Sequence, residues 1–99
     1  MNNQQLNEAV AKRLGLKSGY TSDGIFICPE FGRKPFDPAT DPEAAKWALE
    51  RSLPDDTWLH IQWWSRRQGD KVIHTLDING VVTEGSFCEV ICSMILRTK

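Results

Sequence analysis

The sequence predicts an α+β fold, a mostly antiparallel three- to four-stranded sheet with three helices packed as an α/β sandwich. Three observations predict it. Apolar residues recur at helical spacing in three separate stretches. Between the second and third the period drops to two, with Leu59, Ile61 and Trp63 alternating against Trp58, His60, Gln62 and Trp64. That alternating region is broken by turn chemistry at Arg66–Asp70 and again at Asn79-Gly80, which folds it into a meander.

The first helix spans about residues 3–14, because Leu6, Val10 and Leu14 fall four apart with Ala9 beside them. Asn2 or Asn3 supplies its cap, Lys12 and Arg13 suit its C-terminal dipole, and Gly15 stops it. Residues 16–24 read as a connection, since Ser18-Gly19 and Ser22-Asp23-Gly24 are turn formers. Ile25–Cys28 is a short strand closed by Pro29. The proline-bearing stretch Glu30–Thr40 reads as ordered loop.

Thr40-Asp41-Pro42-Glu43 then marks a helix start, with a cap oxygen, a first-turn proline and a carboxylate placed to return a bond. Ala45, Ala48, Leu49, Ser52 and Leu53 share one side of that helix, Trp47 sits near its edge, and Pro54 ends it. Thr57–Ser65 and Val72–Ile78 form a hairpin, and Val81–Thr83 adds the next strand. In the last segment Phe87, Val90, Ile91, Met94 and Ile95 fill the i, i+3, i+4, i+7, i+8 template. Ser86 and Glu89 stand at capping-box spacing ahead of it. Burying those five side chains contributes about 8–12 kcal/mol gross, so this helix belongs to the core.

Ninety-nine residues with 40% apolar and 25% charged side chains fit one ordinary globular domain over 1–99, not a disordered chain. A net charge of −1 argues against a dedicated nucleic-acid binder, whose affinity rests on phosphate neutralisation. The start, Met1-Asn2-Asn3-Gln4-Gln5, has neither the charged nor the apolar region of a signal peptide, and no apolar run reaches bilayer-spanning length. The expected setting is therefore a reducing cytoplasm, with Cys28, Cys88 and Cys92 as free thiols.

Three stretches resemble the phage ABA sandwich domain family, small α/β proteins of phages and prophages. They are Ala9-Val10-Ala11-Lys12-Arg13-Leu14-Gly15, the run from Phe36-Asp37-Pro38 through Asp41-Pro42-Glu43-Ala44-Ala45, and Val90-Ile91-Cys92-Ser93-Met94-Ile95-Leu96. Ser93 and Met94 stand where that family tends toward Arg and Ala. The resemblance implies a phage-infected or lysogenic bacterial cytoplasm and brings no catalytic residues with it.

The residues themselves point the same way. Cys88 and Cys92 lack the tight pairing of a zinc site, and no third residue orients a Cys–His pair with His60 or His74, so packing is the reading for all three cysteines. No phosphate-binding loop is present, and the acidic residues near the second helix are explained by capping. Neither metal nor cofactor is expected, and no enzyme. The distinctive feature is Trp58 and Trp64 on one strand face with Arg66 and Arg67 nearby. If helices cover both faces these tryptophans are core. If one face is bare they anchor a protein interface or stack bases of a single strand. The expected function is a non-catalytic protein-binding module meeting a host or phage protein, with a homodimer also open. Single-stranded nucleic-acid binding, or sequestration of a small ligand such as a nucleotide, is the alternative.

Overall fold

A computed structural model describes residues 2–53 and 61–97. In chain order the elements are α1 (Asn3–Arg13), β1 (Gly19–Tyr20), β2 (Phe26–Ile27), α2 (Pro42–Ser52), β3 (Ile61–Gln68), β4 (Lys71–Ile78), β5 (Val81–Gly85) and α3 (Phe87–Arg97). The fold is α+β, with three helices and two antiparallel sheets.

The helix boundaries follow from local chemistry. Asn2 and Gln5 exchange side-chain bonds with each other's backbone amides, closing a capping box on α1. Gly15, at φ 69°, takes the left-handed turn that ends α1. Asp41 caps α2 by accepting from the Glu43 amide at 3.1 Å, and Pro42 occupies the first turn. The Glu43 carboxylate, expected to return a capping bond, instead pairs with Lys34 at 2.5 Å. At α3 the returning half of the cap is present: Glu89 Oε1 accepts from the Ser86 amide at 3.2 Å.

The buried residues show why the helices sit where they do. In α3, Cys88, Val90, Ile91, Cys92, Met94 and Ile95 are all buried, on more than one side of the helix. One side packs on β4 and β5, and α1 and α2 pack against α3 in turn. The alanines Ala44, Ala45 and Ala48 are fully buried in α2, which lets its backbone approach α3 closely. Trp47 lies edge-on to Phe31 and Phe36, at 5.1 and 5.9 Å between ring centroids, closing that end of the core.

The stretch between β2 and α2 is ordered by burial. Phe36 and Pro38 are fully buried, and the Cys92 thiol donates to the Pro38 carbonyl at 3.3 Å. Asn7, buried on α1, donates to Asp37 Oδ1 at 2.8 Å and accepts from the Ala39 amide at 3.0 Å, tying this loop to the first helix.

Three expectations change here. The strand expected at Ile25–Cys28 does not join the main sheet. It shortens to Phe26–Ile27 and pairs with Gly19–Tyr20, inside the stretch expected to be a connection, as a separate two-stranded ribbon. Pro29 stops it on one side, and the Phe26 carbonyl is taken by the Phe36 amide at 2.9 Å. The main sheet is therefore three-stranded, in the order β3-β4-β5. Second, β3 runs on through Arg66 and Arg67 to Gln68, and the turn contracts to Gly69-Asp70. With Gly69 at φ 63° in the first position and no positive φ at Asp70, this is a two-residue hairpin turn of the glycine-first kind. Asn79 at 54° and Gly80 at 88° make the other two-residue turn as expected. Third, helix contact with the sheet runs through α3 on one face, and among the described residues no helix lies on the other. Pro54, Trp58 and His60, and the strand start expected at Thr57, lie outside the described residues.

Gly85, at φ 151°, joins β5 to α3, and a Cβ there would run into the Glu89 carboxylate that caps the helix. Replacing Gly85 with Ala is expected to cost about 1–2 kcal/mol through strain and loss of that cap. The urea midpoint should fall with an unchanged m-value, and an unmoved midpoint would show that the cap adds nothing.

Candidate functional site

The strand register sorts side chains onto two faces. Toward the helices point Ile61, Trp63, Ser65 and Arg67 of β3, with Val72, His74, Leu76 and Ile78 of β4. Away from them point Gln62, Trp64 and Arg66, with Ile73, Thr75, Asp77, Val82 and Glu84. Trp64 and Arg66 therefore share the open face, whereas Arg67 projects from the opposite side. The structure does not bring the two arginines together, because the strand continues through both. Trp58 lies outside the described residues.

Trp64 is 46% exposed on the open face and Val82 is 47% exposed. Arg66 reaches across the central strand to Glu84, with Nη2 at 2.9 Å from Oε1, while the other carboxylate oxygen accepts from Thr75 at 3.3 Å. This half-exposed ion pair contributes little to stability, but it fixes the direction of the guanidinium.

Trp63 was expected to point inward with Ile61, and it does face the helices, yet it is 37% exposed. The reason is lateral. α3 packs on β4 and β5, so Leu76 and Thr83, beside Trp63 in the register, are buried, while Trp63 on the outer strand is left partly open. Trp63, His74 and Phe87 form a three-ring cluster there, with centroids 5.3–5.8 Å apart. Beside it lies a groove of about 310 Å³ lined by Lys46, Leu49, Glu50, Trp63, Phe87 and Ile91. Sequence alternation alone misses this exposure, since it assigns a face but not the extent of the helix covering it.

His74 Nδ1 lies 2.9 Å from Ser65 Oγ across the strands, its ring is otherwise bounded by Trp63 and Phe87, and among the described residues no carboxylate is bonded to it. Among the described residues no three His, Cys, Asp or Glu gather as a metal site. A second pocket, of about 280 Å³, includes Gln4 and Tyr20, whose polar tips are joined: Tyr20 accepts from Gln4 at 3.1 Å and donates to Glu8.

The three thiols are free and buried. Burial pushes Cys28 up to about 11 and Cys92 up to about 12, and raises Cys88 as well. These thiols are the opposite of an activated nucleophile. Comparison with family models, curated proteins and solved structures finds no match for this chain.

A thiol whose folded value lies above its unfolded one stabilises fully below the unfolded value, and that contribution is lost as pH rises through the folded one. Stability should therefore decline from about pH 9 toward pH 12, with a shallower decline in a Cys28→Ala, Cys92→Ala variant, read from urea midpoints across that range. At neutral pH, native-state alkylation should proceed only at the rate of unfolding. Rapid labelling of any of the three cysteines would contradict their role as core residues.

Proposed function

We propose that this chain is a non-catalytic protein-binding module of phage or prophage origin, acting in the bacterial cytoplasm, and that a host or phage protein docks on its open sheet face. The observation that carries the reading is Trp64, nearly half exposed on a face that none of the described helices covers and flanked on that face by Arg66. Tryptophan and arginine are the side chains that most often anchor protein interfaces, and apolar Val82 extends the patch. The buried thiols with raised pKa values are poor nucleophiles, which favours binding over thiol catalysis. The phage setting rests on the sequence resemblance alone.

Protein is favoured over single-stranded nucleic acid for an electrostatic reason. Arg66 already answers to Glu84, and Asp77 shares the face, so the patch offers no cationic track for a phosphate chain.

A photo-cross-linking residue placed at Val82 should yield one discrete protein adduct in bacterial cells carrying the phage, whereas the same residue at Lys12 on α1 should not. Trp64→Ala should weaken that adduct at least about tenfold while shifting the melting temperature little. If Trp64→Ala instead unfolds the domain, the tryptophan is core and the reading is lost. Binding to an oligonucleotide with a steep salt dependence would replace the protein with a nucleic-acid partner.

A further inference from the structure

The outer edge of β3 makes a separate statement from the open face. Among the described residues nothing pairs with it. It is eight residues long, in unbroken register with β4, and contains neither proline nor lysine. Natural sheets blunt such edges, because a row of free amides and carbonyls invites another strand. The opposite edge of this sheet is treated that way: β5 has five residues, and the Arg97 guanidinium covers the Val82 carbonyl at 3.2 Å. Only the β3 edge is left long and uncovered among the described residues.

The hairpin turn sets which β3 residues use that edge. A two-residue turn closes on a hydrogen-bonded pair, here Gln68 with Lys71. Counting back, Gln62, Trp64 and Arg66 spend their backbone groups on β4, while Ile61, Trp63, Ser65 and Arg67 turn theirs outward.

We infer that the occupant of this edge is a second copy of the chain, paired antiparallel about Ser65 to give a continuous sheet across the two copies. The sequence Trp63-Trp64-Ser65-Arg66-Arg67 is complementary to itself in that register. Ser65 faces Ser65, Trp64 faces Arg66 of the second copy on the open face, and Trp63 faces Arg67 of the second copy on the helix face. Directly opposite residues hold their Cβ atoms about 4.5–5.5 Å apart, within cation–π reach. On the open face Glu84 holds the Arg66 guanidinium across β4, away from this edge, so stacking on Trp64 of the second copy draws it off that ion pair, whereas Arg67 has no competing side-chain partner among the described residues.

Other registers lose these matches. A slip of one residue puts helix-side residues on the open face. A slip of two sets either Trp64 against Trp64 with Ser65 against Trp63, or Arg66 against Arg66, a like-charge pair. The twofold axis then stands perpendicular to the sheet and keeps the helices of both copies on one side, so the open faces merge into a single surface. The pairing does not depend on what docks there.

An edge contact of this length falls in the weak, concentration-dependent class. Sedimentation velocity over a roughly hundredfold concentration range, reaching the high micromolar, should show monomer passing to dimer. Ser65→Pro removes an outward amide that β4 does not use, so it should retain the circular dichroism spectrum and stay monomeric. Arg67→Glu, which cannot disturb the ladder, should weaken self-association at least about tenfold. For register, Ser65→Cys should be captured as a dimer by a short bis-maleimide. Gln62→Cys, about 20 Å from its copy in this arrangement, should not. A monomer at every concentration overturns the proposal. So does a dimer that persists in both Ser65→Pro and Arg67→Glu, or equal cross-linking at Gln62 and Ser65, and capture of a different protein's strand on this edge would assign it elsewhere.

Discussion

Everything in this fold leans on α3. An ordinary surface helix buries one stripe, but here Val90, Ile91, Cys92, Met94 and Ile95 form a nearly continuous buried run, so the helix has few residues left for solvent. That constraint dictates the arrangement around it. One side must lie on the sheet, and other helices must cover what remains, which is the work of α1 and α2. Small residues make this practicable: Ala11 on α1 and the fully buried alanines of α2 allow close approach without large side chains competing for space. Even the loop before α2 serves the same helix, since Pro38 packs there and takes the Cys92 thiol as donor.

With α1 and α2 committed to α3, and α3 to one sheet face, no helix lies on the other face among the described residues, and β3 lies beside the strip that α3 covers. The exposed tryptophans follow from this geometry. That other face is not polar throughout, since Trp64 and Val82 are both nearly half exposed on it.

Much of this was legible in the sequence, and the gaps have physical causes. The α3 template, the Asp41-Pro42 helix start and the Asn79-Gly80 turn are local signals, and all three appear as expected. The ribbon of Gly19–Tyr20 with Phe26–Ile27 was not legible, because two-residue strands have no periodicity and depend on Phe36 packing against them from further along the chain. The end of β3 was misplaced for a related reason. Arg66, Arg67 and Gln68 resemble loop residues by composition, but an exposed strand tolerates them on both faces, and only Gly69 enforces the turn. That shift separates Arg66 from Arg67, which composition alone would place in one patch. Alternation put Trp64 and Trp63 on the correct faces, while exposure depended on helix coverage, a property of the tertiary fold.

The two edges of the sheet offer the sharpest physical contrast in the molecule. At β5 the chain turns away at Gly85 after five residues, and Arg97 comes back from the end of α3 to occupy an outward carbonyl. At β3 the strand is longer and its outward residues alternate between aromatic, small and cationic types, with no side chain bonded to its outward carbonyls among the described residues. Arg67, whose backbone groups face outward at the hairpin end, sets a cation against any strand that adds there, so a basic side chain opposite it is repelled and an indole attracted. In the antiparallel pairing inferred above, Trp63 of the second copy meets that cation, so one guanidinium both disfavours a basic strand and favours this one.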